Sequence, residues 1–142
     1  MAGNFIMLED YLTKLCNHLK ITPIPEETED KTFVLPFTQD ITIFMQEITP
    51  GCYIWSRISK CPDKHREDMF MHLMKANLLG QGTGGSVISL DEEENYLTLS
   101  LTLSYEVNYL EFKENLEDFV NYIIFWRNEI DRMQKEAEET LY

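Results

Sequence analysis

The chain has 142 residues, of which 44% are hydrophobic and 12% aromatic, which is enough to build the core of a single domain spanning residues 1–142. Its 25 acidic and 12 basic side chains give a formal net charge of −13. That charge argues against nucleic acid as a partner, because an acidic surface repels a phosphate backbone, and it favours solubility or a basic partner.

A first helix is predicted from about Asn4 to Lys20, because apolar residues recur there at helical spacing. The apolar face comprises Phe5 or Ile6, Leu8, Leu12, Leu15, Cys16 and Leu19. Pro23 and Pro25 end this helix, and the acidic segment 26–30 is expected to be a solvated loop.

Three strands are predicted next and form a meander. The first, residues 33–35, is short and is stopped by Pro36, whereas residues 41–46 alternate between two faces. Pro50 and Gly51 fit a type II turn. In the third strand, Ile54, Ser56 and Ile58 lie on the face opposite to Tyr53, Trp55 and Arg57.

A second helix is predicted from about Pro62 to Leu79, with Gly80 where a helix end needs a residue of positive φ. A glycine-rich loop leads to a short strand, Val87–Leu90, and an acidic turn follows. The next strand is the clearest in the chain, because Leu97, Leu99, Leu101 and Leu103 alternate with small polar residues.

The last helix is predicted to begin with a capping-box-like pair, Asn108 and Glu111. Its apolar stripe must be covered by the sheet or by another subunit. The stripe consists of Phe112, Leu116, Phe119, Ile123, Trp126, Ile130 and Met133. The complete order is α-β-β-β-α-β-β-α, which predicts an α+β fold with an antiparallel sheet packed with helices.

Motifs for catalysis, cofactors and metals are weak. Gly80, Gly82 and Gly85 have the spacing of a dinucleotide-binding loop, but they follow a helix, whose C-terminus repels phosphate. Cys16, Cys52 and Cys61 lack CxxC spacing, and His65 and His72 lack a third ligand. We therefore expect a protein without a cofactor or a metal that is not an enzyme.

Targeting signals are equally weak. The first ten residues lack the basic region and the long apolar run of a signal peptide. The longest apolar run, residues 122–126, is too short to span a bilayer. We therefore expect a cytoplasmic protein that does not insert into membranes.

Residues 69–95 join a helix, a glycine-rich loop, a short strand and an acidic turn. The helix ends in a pattern of the form L-x-x-N-L-x-G, here Met74, Asn77, Leu78 and Gly80, with Gly85 in the loop and methionine in place of the first leucine. This arrangement resembles the Tir-chaperone (CesT-like) family, the class I chaperones of type III secretion.

The resemblance implies a bacterial chaperone that binds the N-terminal segment of a secreted effector, keeps it export-competent and delivers it to the export apparatus, whose ATPase is a further possible partner. It also implies a homodimer, with the contact at Phe70, Leu73, Met74, Leu78, Val87 and Ile88. The first helix and meander would then bind cargo through Leu8, Tyr11, Leu12, Leu15, Phe33, Leu35, Ile41, Ile43 and Phe44.

Two alternatives stay open. The chain could be one subunit of a heterodimer with a related chaperone, or a regulatory adaptor of the same fold, and insolubility of the chain alone would indicate this. It could also be a small acidic enzyme or ligand-binding domain, which would need a concave pocket with converging polar groups.

Overall fold

The computed structural model describes residues 7–48, 51–104 and 106–140, apart from the side chains of Met7 and Thr140. Its elements are α1 (Met7–Leu19), β1 (Thr32–Pro36), β2 (Thr42–Ile48), β3 (Gly51–Lys60), α2 (Arg66–Asn77), a short 3₁₀ helix (Leu78–Gly80), β4 (Val87–Leu90), β5 (Tyr96–Ser104) and α3 (Tyr109–Thr140). The predicted α+β fold and element order are therefore confirmed.

The five strands form one sheet in the order β1-β2-β3-β5-β4. The pairs β1–β2, β2–β3 and β4–β5 are antiparallel. The chain groups into two compact units: unit 1 is Met1–Ser56 with Leu101–Glu117, and unit 2 is Arg57–Ser100 with Asp118–Tyr142. The single domain over residues 1–142 stays a prediction.

Unit 1 buries one face of its strands and the apolar face of α1. Every second side chain is buried from Ile43 to Met45 in β2 and from Cys52 to Ile58 in β3, as the alternating sequence predicts. The core also contains Leu8, Leu12, Leu15 and Cys16 of α1 and Phe112 and Leu116 of α3. Each large apolar side chain buried in this way contributes about 1.5–3 kcal/mol relative to an exposed position.

Unit 2 is built around the glycine-rich loop that joins α2 to β4. The indole Nε1 of Trp126 donates a hydrogen bond to the Gly82 carbonyl at 2.9 Å. At the other side of the loop, the hairpin between β4 and β5 is closed by Asp91, whose carboxylate accepts hydrogen bonds from the backbone N–H groups of Asn95 and Tyr96. The loop and the hairpin are thus fixed by specific polar contacts.

The second helix is shorter than predicted at both ends. It begins at Arg66 rather than Pro62, and its N-cap His65 has a left-handed φ of 57°. The Cys61 N–H donates to the Asn95 carbonyl at 2.8 Å, so the chain still follows the hairpin at Cys61 and enters the helix only after the bend at residues 63–65. The helix ends at Asn77, and Leu79 in the following 3₁₀ helix has a φ of 55°.

The two terminal helices mostly follow their predicted patterns. Asn108 Oδ1 accepts a hydrogen bond from the Glu111 N–H at 2.9 Å, and its Nδ2 donates to the Glu111 carboxylate at 2.8 Å, which confirms the cap of α3. The α3 stripe is buried from Phe112 to Ile130 within the chain itself. In α1, Leu19 is exposed rather than buried. The predicted first turn at residues 4–6 and the turn residue Pro50 lie outside the described residues.

Candidate functional site

The nine side chains predicted to bind cargo all belong to unit 1, but most of them form its core. Seven are at most 5% exposed: Leu8, Leu12, Leu15, Phe33, Leu35, Ile41 and Ile43. These side chains pack within unit 1, although Phe33 also lines a cleft at the surface. Cargo binding at these positions stays a prediction. The sequence pattern identifies apolar residues on the right elements but does not separate the core from an exposed patch.

Tyr11, the eighth candidate, is half-buried and connects α1 to the start of α3. Its hydroxyl donates a hydrogen bond to the Val107 carbonyl at 2.9 Å. Its ring lies 5.8 Å from the Tyr109 ring and 5.3 Å from the Phe112 ring, measured between centroids. Burial, followed by the nearby Cys16 and Glu117, raises the pKa of the Tyr109 hydroxyl. These contacts give Tyr11 a structural role in unit 1.

Phe44, the ninth candidate, lies on the outer face of the sheet in a stack of aromatic side chains. Its ring is 5.4 Å from the Trp55 ring, with 18° between the ring planes, and Trp55 is in turn 5.4 Å from Tyr53. On the other side, Val34 is the direct cross-strand neighbour of Phe44. We call Val34, Phe44, Tyr53 and Trp55 the outer ladder.

The outer ladder follows from strand alternation. Ile54 and Ser56 point into the core, so Tyr53 and Trp55 must point outward, where one-sided antiparallel sheets normally carry polar residues. Val34 and Tyr53 are 38% and 36% exposed. Strand alternation predicts Tyr53 and Trp55 opposite Ile54 but does not mark them as site residues. The signal that could have found them is aromatic residues at outward positions of adjacent strands.

Among the described strands, β1 is at the edge of the sheet beside the outer ladder, and no described strand pairs with its outer side. The Phe37 N–H donates to the Ile41 carbonyl at 3.0 Å, and this bond sets the alternation of the β1–β2 pair. By that alternation, the backbone groups of Thr32, Val34 and Pro36 point away from β2.

Local contacts restrict this edge to a short window. Thr28 takes up both groups of Thr32, because its N–H donates to the Thr32 carbonyl at 2.9 Å and its Oγ1 accepts from the Thr32 N–H at 3.2 Å. Pro36 has no N–H to offer. Val34 is therefore the position on the edge that can both donate and accept a backbone hydrogen bond.

A cleft of about 340 Å³ lies between α1, the following loop and β1. It is lined by Glu9, Thr13, Ile24, Pro25, Glu26, Glu27 and Phe33. The cleft combines three carboxylates with apolar surface. The carboxylates agree with the net charge of −13.

The six predicted dimer residues belong to unit 2, and three of them are exposed. Met74 is 71%, Leu78 62% and Val87 51% exposed. Phe70 is half-buried, and Leu73 and Ile88 are buried in the core. Two further exposed residues from the same segment, Met71 and Leu79, were not predicted. We call Met71, Met74, Leu78, Leu79 and Val87 the α2–β4 surface.

The titratable groups do not assemble into a metal site in the part of the chain that the structure describes, where no three potential ligands lie together. Burial, followed by the charge of Glu47, raises the pKa of the Cys52 thiol to about 12. That thiol therefore stays protonated at neutral pH and is a poor nucleophile or ligand. Within the same described ranges, no helix is long and apolar enough to cross a bilayer.

Comparison with known proteins agrees with this architecture. A Chlamydia pneumoniae protein, CPj0713/CpB0740, is 28% identical over 91 residues, which cover 63% of this chain and 70% of that protein. The HopA1–SchA chaperone–effector complex contains a similar fold, with a TM-score of 0.71 and 12% identity over 90% of this chain and 98% of that chain. The Yersinia pestis type III secretion chaperone SycH, solved with a fragment of YscM2, gives a TM-score of 0.63 and 13% identity over 82% of this chain and 96% of that chain.

These structural similarities lie at low sequence identity and establish the fold. The family is established by the sequence, because the model of the Tir chaperone protein family matches residues 10–127, most of the chain. The protein therefore belongs to the Tir chaperone protein (CesT) family.

Proposed function

We propose that this protein is a type III secretion chaperone of the bacterial cytoplasm. It binds the N-terminal segment of a secreted effector, keeps the segment export-competent and delivers it to the export apparatus, and it catalyses no reaction. Membership of the Tir chaperone family supports this proposal, as does the fold shared with the HopA1–SchA chaperone–effector complex.

The observation that carries the proposal is the outer ladder of unit 1. Three aromatic rings and a valine lie side by side on the outer face of the strands. Two of these side chains, Val34 and Tyr53, are more than one third exposed. Aromatic side chains supply a large apolar contact area with few torsions to restrict, so they suit the binding of an extended chain.

The β1 edge adds directional contacts to this apolar surface. An extended segment can pair with the backbone groups of Val34 and place its outward side chains against Val34. Cargo residues beyond this paired position can then cross the outer face of the sheet towards Phe44 and Trp55. Only a short window is open on this edge, so side-chain contacts must provide most of the affinity. This mode of recognition does not require ATP.

The charge of the protein favours cargo segments with basic residues. The net charge of −13 attracts cationic chains over a distance of about one Debye length, ~8 Å at physiological ionic strength. The acidic cleft beside β1 offers Glu9, Glu26 and Glu27 as partners for such residues. We propose that apolar residues of the cargo contact the outer ladder and that basic residues follow the cleft.

The α2–β4 surface is the proposed dimer contact, either with a second copy or with a related chaperone. Exposure of its five apolar side chains to water is unfavourable, and burying them against a second apolar surface lowers the free energy. The ATPase of the export apparatus is a further proposed partner of the loaded chaperone.

The test compares charged substitutions at matched positions of unit 1. Phe44→Glu and Trp55→Glu are expected to weaken binding of the cargo segment at least about tenfold, because they place a carboxylate against apolar side chains. Thr102→Glu adds the same charge at an exposed position of β5 and should bind as the unchanged protein does.

The cargo segment for this test is the N-terminal part of the secreted protein that co-purifies with the chaperone from its native host, identified by mass spectrometry. Binding is measured by calorimetry, and thermal melts of each variant are recorded in parallel. Wild-type affinity in a folded Trp55→Glu variant would contradict the placement of the site on the outer ladder.

A further inference from the structure

The outer edge of β4 is contacted by residues 77–83, which precede it in unit 2. β4 is the last strand in the sheet order and pairs with β5 alone. The Asp91 N–H donates to the Tyr96 carbonyl at 3.0 Å, and this bond sets the alternation of the hairpin. By that alternation, the backbone groups of Ser86, Ile88 and Leu90 point away from β5.

Asn77 occupies the edge at Ile88. Its Oδ1 accepts a hydrogen bond from the Ile88 N–H at 2.8 Å, and its Nδ2 donates to the Ile88 carbonyl at 2.8 Å. One side-chain amide thus makes the two hydrogen bonds that a neighbouring strand would make at this position. Asn77 is the last residue of α2, so the helix end fixes the amide in place.

Thr83 occupies the preceding outward position of the edge, Ser86, in the same way. Its hydroxyl donates a hydrogen bond to the Ser86 carbonyl, and its own carbonyl accepts from the Ser86 N–H at 3.2 Å. Thr83 and Ser86 are both buried. Two consecutive outward positions of the edge therefore have their backbone groups bonded within the chain.

We propose that Asn77 and Thr83 determine which strands can pair with this protein, by closing the β4 edge to backbone pairing with a second copy or with an extended segment. An open edge presents a row of unpaired N–H and C=O groups and promotes association with other strands. With Ser86 and Ile88 occupied, Leu90, which lies beside the hairpin turn, is the outward position of β4 that remains.

This closure has a consequence that rests on the proposed function. An extended cargo segment is then expected to pair at the β1 edge, where Val34 lies beside the outer ladder, rather than at Leu90 beside the hairpin turn. A partner that docks on the α2–β4 surface must do so through side chains, without extending the sheet. Asn77 and Thr83 would thus keep cargo binding and subunit contact on different elements.

The first test measures hydrogen exchange at the Ile88 amide in the full-length protein. Asn77→Ala removes both partners of Ile88, and its amide is expected to exchange about fivefold to tenfold faster. Asn121→Ala, at an exposed position of α3 in the same unit, is the control and should leave this amide unchanged. Unchanged exchange at Ile88 in Asn77→Ala would overturn the proposal.

The second test measures association by sedimentation, because a residue that only anchors α2 would also change local exchange. The double variant Asn77→Ala/Thr83→Val frees both backbone groups of Ile88 and the Ser86 carbonyl, while the Ser86 N–H stays bonded to the Thr83 carbonyl. This variant is expected to form species larger than those of the wild type. Adding Ser89→Lys, an exposed charge on β4, should disperse these species, since an edge lysine opposes strand pairing. A folded double variant that sediments as the wild type does, or association that Ser89→Lys does not relieve, would overturn the proposal.

If Asn77→Ala does not fold, Asn77→Asp decides the question. Its carboxylate keeps the acceptor for the Ile88 N–H and removes the donor to the Ile88 carbonyl. The Ile88 amide is then expected to exchange faster than in the wild type, because a carboxylate oxygen faces the Ile88 carbonyl in place of the donor. Unchanged exchange in this variant would overturn the proposal. None of these measurements uses cargo, so their failure is distinct from a failure of the proposed function.

Discussion

Gly84 and Gly85 are adjacent residues with the same backbone requirement and different surroundings. Both have a positive φ, 63° and 89°, which residues other than glycine rarely adopt. A Cβ atom on Gly84 would lie 2.4 Å from Cε2 of Tyr122, whereas a Cβ atom on Gly85 would meet nothing within 4 Å. The pair therefore separates backbone strain from steric exclusion.

We expect Gly85→Ala to destabilise the protein by about 1 kcal/mol, the cost of a strained φ. Gly84→Ala should cost at least about 1 kcal/mol more, because the Tyr122 ring must also move. Urea unfolding of the two variants provides the comparison. Equal losses would show that Tyr122 accommodates the added methyl group without cost.

The positive φ of Gly85 could be predicted from residue type and position, whereas the exposure of single apolar residues could not. Leu8 and Phe44 are both apolar residues on the predicted cargo elements, yet Leu8 is fully buried and Phe44 faces outward. Burial depends on which face of each element meets the core. A charge at Leu8 is therefore expected to unfold unit 1, and Phe44 is the informative position.

At the scale of elements, α2 shows how far local sequence determines structure. Its existence and its stop near Gly80 follow from periodicity and glycine. Its start does not, because the Cys61–Asn95 hydrogen bond joins positions 34 residues apart and keeps Cys61 beside the hairpin, so the helix begins later. The alternation of β2, β3 and β5 was predictable because one buried face enforces a period of two.

The exposed side of α2 leads to a prediction about assembly. We expect the protein to form dimers. The variants Leu78→Glu and Met74→Glu each place a charge in the α2–β4 surface and should shift the equilibrium towards monomers. Leu110→Glu, at a comparably exposed apolar position in unit 1, serves as the control and should leave the dimers intact.

Sedimentation at micromolar concentration measures this equilibrium. A stable wild-type monomer would contradict the homodimer. If a related chaperone then formed a complex that Leu78→Glu abolished, the surface would be a heterodimer contact instead.

For the whole molecule, family membership, fold and charge point to a carrier of polypeptide. The protein belongs to the Tir chaperone family. Its unit 1 presents an aromatic outer face beside an acidic cleft, and its net charge of −13 favours basic partners. The family resemblance was visible from residues 69–95, but the outer ladder required the strand register that brings Val34, Phe44 and Trp55 side by side.

The most direct test of this account is a calorimetric titration of the purified protein with the N-terminal segment of its co-purifying secreted partner, without nucleotide. The account predicts saturable binding that weakens as salt is raised, and no binding of a segment with the same composition in scrambled order. Absence of binding, or binding that appears only with ATP, would contradict it.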